Sequence, residues 1–98
     1  MKQRGNELLY QVNFPASQAD KKSSVYYTVY NNDESVFLAR TNNGVLEFGD
    51  GSYGVNLTFN NEDSYSIYWE IDGTPYKASE DINIFDFREL VQYSGYGL

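Results

Sequence analysis

Residues 53–71, with the sequence YGVNLTFNNEDSYSIYWEI, contain the two most regular hydrophobic patterns of this chain. In both runs, nonpolar and aromatic side chains occupy every second position, and most of the positions between them are small or polar. The alternating residues are Tyr53, Val55, Leu57 and Phe59 in the first run, and Tyr65, Ile67, Trp69 and Ile71 in the second. Because side chains of a β-strand point alternately to opposite faces, each run predicts a strand with one buried face. The polar residues 60–63 predict the turn between them.

Shorter runs rich in β-branched and aromatic residues flank this pair of strands on both sides. We predict further strands over residues 8–14, 23–30, 35–40, 45–48, 76–79 and 81–87. Turn sequences separate them, the clearest being Asn43-Gly44, whose residues both tolerate positive φ. Seven or eight short strands with turns about every 8–12 residues predict an all-β, antiparallel, immunoglobulin-like β-sandwich. A small barrel is the alternative architecture.

The chain has 98 residues, which is the size of one domain. We expect one sandwich domain over residues 1–98, with short arms at 1–7 and 88–98. Residues 1–22 carry four basic and two acidic side chains, net +2, whereas residues 23–98 carry three basic and twelve acidic side chains, net −9. The first strand is separated from the others by residues 15–24, so its pairing within the domain or with a neighbouring subunit is left open.

The composition excludes several classes of catalytic and metal site. There is no Cys and no His, which removes disulfides, thiol nucleophiles, His-based triads and Cys or His zinc sites. Acidic pairs such as Glu70 and Asp72 are expected to be solvated surface charges, with a weak calcium site at Asp50, Asp63 or Asp72 as the alternative. We therefore expect no enzyme activity, no catalytic residues, no cofactor and no bound metal.

The formal net charge of −7 makes nucleic acids and anionic membranes poor partners, because the field of the protein repels phosphate groups. No nonpolar run reaches the roughly 18 residues of a membrane-spanning helix. The first residues lack the nonpolar stretch of a secretion signal, so we expect none.

Ten Tyr and six Phe make aromatic side chains the main candidates for binding. Trp69 shares its alternating face with the neighbouring isoleucines and is expected in the core. Tyr68 points the opposite way and is expected to be exposed, together with either Tyr26 and Tyr30 or Tyr27. Exposed tyrosines stack on sugar rings, anchor protein interfaces or pair across strands, and the sequence leaves these three roles open.

Residues 51–82 also carry a more specific pattern. A Gly-x-Tyr turn leads into an alternating strand, an Ile-x-Trp strand follows, and after the next turn comes Tyr-x-Ala-x-Glu. With this pattern, residues 23–87 resemble small immunoglobulin-like domains of tailed-bacteriophage virion proteins, which occur as neck, head–tail joining, decoration or baseplate-associated components. The resemblance implies a structural protein of a virion that is made in the host cytoplasm. Its expected partners are other virion structural proteins, and a homo-oligomer in the particle is a further option.

The resemblance also implies that arms at 1–14 and 88–98 become ordered on assembly through nonpolar anchors. The candidate interface residues are Leu8, Leu9, Tyr10, Tyr68, Tyr93, Tyr96 and Leu98. The alternative function is a carbohydrate-binding or host-surface-binding module, in which Tyr26, Tyr30 and Tyr68 contact a glycan.

Overall fold

A computed structural model describes residues 2–3 and 7–85 of the chain. This part contains eight strands: β1 (Lys2–Gln3), β2 (Glu7–Asn13), β3 (Val25–Asn31), β4 (Val36–Thr41), β5 (Leu46–Gly49), β6 (Ser52–Thr58), β7 (Ser64–Ile71) and β8 (Lys77–Phe85). Two single 3₁₀ turns, Ala16–Gln18 and Lys22–Ser24, connect β2 to β3. Across the described residues, no helix is long and nonpolar enough to cross a membrane.

The strands form two sheets that enclose one core. The larger sheet has the order β1-β8-β7-β3-β4, and the smaller sheet has the order β2-β6-β5. Neighbouring strands are antiparallel, except that β1 and β8 are parallel. Among the described strands no ladder joins the two sheets, so the fold is the predicted all-β antiparallel sandwich and not a closed barrel.

The core consists of the inward-facing side chains of both sheets. Trp69 is buried and lies against Tyr27, with ring centroids 5.5 Å apart. Tyr10 meets Phe59 edge-on at 5.9 Å. The alternating residues of β6 and β7 face this core, and only Leu57 among them is half buried. The predicted alternation and the core position of Trp69 are therefore confirmed.

The first strand pairs within the domain. β2 lies antiparallel to β6 along its whole length, from Glu7 to Asn13. The short strand β1 pairs with the end of β8. The sequence predicted an N-terminal arm at residues 1–7, or at residues 1–14 in the assembly. Residues 2–3 and 7–13 of this segment instead belong to the sheets. The physical reason is that alternate side chains of β2, such as Tyr10 and Val12, fill the core.

A buried tyrosine hydroxyl holds the connection between β2 and β3. Tyr53 donates a hydrogen bond to the carbonyl oxygen of Gln18 at 2.5 Å and accepts one from the backbone N–H of Lys21 at 3.0 Å. Burial raises the pKa of Tyr53, so this hydroxyl stays protonated and remains a donor. The two bonds fix the 3₁₀ turns across the edge of the sandwich.

The last described strand is longer than the sequence predicts. The predicted strands 76–79 and 81–87 are one strand, because the β7–β8 ladder continues without interruption from Lys77 to Asn83. Glu80 and Asp81 do not break it, since both side chains remain exposed and keep their hydration. Residues 86 and 87 lie outside the described part. Strands β2 to β7 begin and end within two residues of their predicted positions, whereas β1 was not predicted.

Candidate functional site

The outer face of the five-stranded sheet carries a groove of about 600 Å³, here called the Tyr68 groove. Strands β3, β7 and β8 contribute its residues, and the β3–β4 loop closes one end. The groove is lined by Tyr30, Asn31, Asn32, Glu34, Ser64, Tyr65, Ser66, Tyr68, Asp81 and Asn83. Two of the tyrosines that the sequence suggests as exposed, Tyr30 and Tyr68, therefore share one depression.

The strand register brings the polar residues of the groove together. On β7, Ser64 and Ser66 occupy alternate positions that point outward. Ser66 lies between Tyr30 of β3 and Asp81 of β8. Ser64 lies opposite Asn83. Residues far apart in the sequence thus form adjacent rows on one surface, as side chains of paired strands do.

The aromatic part of the groove is a pair of tyrosine rings. Tyr30 and Tyr68 are in a T-shaped arrangement, with centroids 5.1 Å apart and an interplanar angle of 87°. Such edge-to-face contacts hold both rings in a defined orientation. The Tyr68 side chain is nevertheless 48% exposed, so it offers aromatic surface to a ligand.

The polar part of the groove consists of hydroxyl, amide and carboxylate groups. The Ser64 hydroxyl donates to the side-chain oxygen of Asn83 at 2.8 Å, and the Ser66 hydroxyl donates to Asp81 at 3.2 Å. The lining residues include two carboxylates and no Lys or Arg. The groove therefore combines acidic character with groups that both donate and accept hydrogen bonds.

Internal hydrogen bonds hold the β3–β4 loop in place at the end of the groove. Asp33 accepts hydrogen bonds from the backbone N–H of Ser35 at 3.0 Å and from its hydroxyl at 2.5 Å. The Asn31 amide donates to the same hydroxyl at 3.0 Å. The bonds from Ser35 lower the pKa of the Asp33 carboxyl below its ordinary value of 3.8. These hydrogen bonds fix the loop in one conformation, with Asn32 and Glu34 lining the groove.

A basic side chain occupies the opposite end of the same sheet face. The Arg40 guanidinium lies 3.9 Å from the centroid of the Tyr26 ring. Arg40 also contacts Glu70 at 3.0 Å and Asp72 at 3.3 Å. The hydrogen bond with Glu70 is the main cause of the raised pKa of Arg40. Glu70 and Asp72 therefore serve in a surface ion-pair network. In the described part of the chain, no three Asp or Glu residues gather where they could hold a metal ion.

The outer face of the three-stranded sheet is nonpolar at its centre. Leu9, Leu46 and Phe48 are 42%, 38% and 50% exposed. A Cβ atom on Gly54 would lie 2.9 Å from Phe48 Cε2 and 3.1 Å from Leu9 Cδ1, so both side chains lie over this glycine. We call these four residues the Phe48 surface. Polar residues surround it, and Gln11 and Ser52 are hydrogen bonded there at 2.6 Å.

The structure separates the interface residues that the sequence suggests. Leu9 is exposed on the Phe48 surface, and Tyr68 is exposed in the groove. Leu8 is half buried and packs on the core, and Tyr10 is 2% exposed. Burial raises the pKa of Tyr10, and nearby Glu80 adds to the shift. Both residues contribute to the core because β2 belongs to the domain. The other three suggested residues, Tyr93, Tyr96 and Leu98, lie outside the described part.

Sequence reasoning did not identify Leu46 and Phe48. Both belong to the short predicted strand 45–48, and their alternation with Glu47 was the available signal. The signal was insufficient because three of the four residues in that strand are nonpolar. Only the pairing of β5 with β6 shows which face each side chain occupies.

Comparison with known proteins supports the fold. No protein-family model matches the chain, and no curated protein matches it. Among solved structures, the crystal structure of the Lin-41 filamin domain is similar, with a TM-score of 0.61 and 18% sequence identity. The match covers 86% of this chain and 81% of the filamin domain. At this identity the likeness shows the immunoglobulin-like β-sandwich fold alone.

Proposed function

We propose that this chain is a non-enzymatic docking domain that binds another protein subunit through the Phe48 surface. The observation that carries this proposal is the cluster of Leu9 and Phe48 over Gly54, with the exposed Leu46 paired to Gly54 on the neighbouring strand. A nonpolar centre within a polar rim is the usual anatomy of a protein interface. Large exposed nonpolar side chains that gather on one face are a stronger indication of binding than scattered ones.

The energy available from this surface is sufficient to anchor an interface. Burying a Leu or Phe side chain completely contributes roughly 1.5–3 kcal/mol. Leu9, Leu46 and Phe48 each still expose about half of their surface to solvent. Complete burial would therefore contribute about 2–4 kcal/mol in total. This is the energy of a small hot spot, and the surrounding polar residues would supply the rest of the contact area.

The proposed partner is another subunit of a tailed-phage particle. The pattern of residues 51–82 supports this setting through its resemblance to virion domains. The absence of Cys and His supports a binding role over a catalytic one. In this proposal the chain is made in the host cytoplasm and is incorporated into the virion during assembly.

The test is incorporation of variant chains into particles. The chain is quantified by mass spectrometry in purified phage made with wild-type, Phe48→Ser or Tyr68→Ser protein. Tyr68→Ser is the matched control, because it removes an aromatic ring of similar exposure from the opposite sheet. We expect Phe48→Ser to lower incorporation about tenfold and Tyr68→Ser to leave it unchanged.

Two results would contradict the proposal in different ways. Equal incorporation of both variants would exclude the Phe48 surface as the docking site. Absence of the wild-type chain from purified particles would exclude the virion setting.

A further inference from the structure

We propose that the Tyr68 groove binds a neutral saccharide. This role goes beyond docking, because the groove lies on the five-stranded sheet and the Phe48 surface lies on the outer face of the other sheet. The proposal rests on the backbone pairing below the groove, the hydrogen-bonding groups that line it, its charge and its aromatic pair.

The backbone pairing under the groove argues against a peptide ligand. The groove residues of β7 pair with β3 on one side and β8 on the other, and the ladders run through Tyr30, Ser66 and Asp81. A peptide that binds by strand addition needs a free sheet edge, and these strands offer none to a ligand in the groove. Recognition here must therefore use side chains.

The side chains of the groove match a ligand rich in hydroxyl groups. Amides and hydroxyls, as in Asn32, Asn83 and Ser64, both donate and accept hydrogen bonds. A sugar hydroxyl also does both, so each such group finds a partner. A Lys or Arg side chain only donates, so it would offer no acceptor to the side-chain amide N–H groups of Asn32 and Asn83. This difference favours a saccharide over a basic peptide.

The charge of the groove restricts the saccharide to a neutral one. Glu34 and Asp81 are the ionisable carboxylates among the lining residues, and no basic side chain accompanies them. Sialylated, sulfated or phosphorylated glycans would be repelled by these carboxylates and by the formal net charge of −7. Ionised carboxylates are, in contrast, good acceptors for sugar hydroxyls.

The aromatic pair provides the nonpolar contact that a sugar ring needs. One face of a pyranose ring carries C–H groups, which pack on an aromatic ring. Tyr68 is half exposed and is held by its T-shaped contact with Tyr30. Because this contact and the hydrogen-bonded loop around Asp33 are already formed, binding requires little ordering of the site.

The experiment is a titration of the purified, ¹⁵N-labelled 98-residue chain, followed by backbone amide chemical shifts. The probes are neutral oligosaccharides of glucose, galactose, mannose and N-acetylglucosamine. Each is added up to about 10 mM, a concentration that nearly saturates a site with a dissociation constant of about 1 mM. We expect at least one of them to shift the amides of residues 64–68 and 79–83. We expect Tyr68→Ala to weaken that binding about tenfold or more, the factor that about 1.4 kcal/mol represents.

Matched variants separate the groove from the rest of the sheet. Tyr26→Ala removes the same kind of ring from the same sheet face, but beside Arg40 and outside the groove. It should leave saccharide binding unchanged. Tyr68→Phe keeps the ring and should retain most of the affinity. A native-like spectrum of each variant shows that its fold is intact.

Three outcomes would overturn the proposal. The first is the absence of localised shifts with every neutral probe. The second is tighter binding of sialylated oligosaccharides or of an oligolysine peptide at the same amides. The third is neutral-sugar binding that Tyr68→Ala leaves unchanged.

Discussion

Replacement of Gly51 by alanine is expected to destabilise the domain strongly, because this glycine of the β5–β6 turn packs against the residues that follow β2. Gly51 accepts a hydrogen bond from the backbone N–H of Phe14 at 2.9 Å. Its φ of +88° and the φ of +55° at Asp50 are those of a tight turn between antiparallel strands. A Cβ on Gly51 would overlap the carbonyl oxygens of Pro15 and Phe14, the latter at 2.5 Å.

The expected size of the effect has two parts. Any side chain with such a positive φ costs about 1–2 kcal/mol. The overlap adds a further part, because two backbone carbonyls must move and the Phe14 hydrogen bond weakens, together about 2–4 kcal/mol. We therefore expect Gly51→Ala to lower the free energy of unfolding by about 3–6 kcal/mol, a large share of the roughly 5–15 kcal/mol of a small domain.

Gly73→Ala is the matched control for this prediction. Gly73 has a φ of +78° in the β7–β8 turn, and a Cβ there would meet no atom within 4 Å. Only the φ part, about 1–2 kcal/mol, applies to it. Urea unfolding followed by Trp69 fluorescence measures both variants. Equal destabilisation would show that the segment after β2, at Phe14 and Pro15, does not pack on Gly51, and this contact would then be refuted.

Three further outcomes are expected. Tyr53→Phe should destabilise by about 2–3 kcal/mol because two backbone groups lose their partner, whereas Tyr27→Phe, which loses a single bond, should cost about 1 kcal/mol in thermal unfolding. Since folding lowers the pKa of Asp33, its charged form stabilises the protein above about pH 4. The difference in unfolding free energy between the wild-type protein and Asp33→Asn should shrink as the pH falls below about 4 and Asp33 becomes protonated. Arg40→Ala should lower Tm slightly, and by less in 1 M salt.

The strands could be predicted from the sequence because their signal is local. In β6 and β7 the two-residue period identifies both the strand and its buried face, so Trp69 could be assigned to the core without a structure. The continuity of β8 could not be predicted, since Glu80 and Asp81 resemble a turn in sequence. Their charges are tolerated because both side chains remain in solvent along the β7 ladder.

The candidate sites were harder to predict because each depends on long-range register. The exposure of Tyr68 follows from alternation alone. Its position beside Asp81 and Asn83 depends on how β7 pairs with β8. The Phe48 surface depends on three strands, and its centre is Gly54, a residue that carries no hydrophobic signal. A pattern within one strand shows which face a residue occupies but not its neighbours on that face.

The two proposed surfaces are expected to act independently, because they lie on opposite outer faces of the sandwich. Stacked sheets are about 10 Å apart, so a subunit docked on Phe48 would leave the Tyr68 groove open to solvent. A docked domain could thus present its saccharide site outward from the particle. Phe48→Ser should therefore leave saccharide affinity unchanged. In the double variant, Phe48→Ser should lower subunit docking, and Tyr68→Ala should lower saccharide affinity, by the same factors as in the single variants. Coupling between the two effects would contradict this independence and would mean that the core between the two sheets transmits the change.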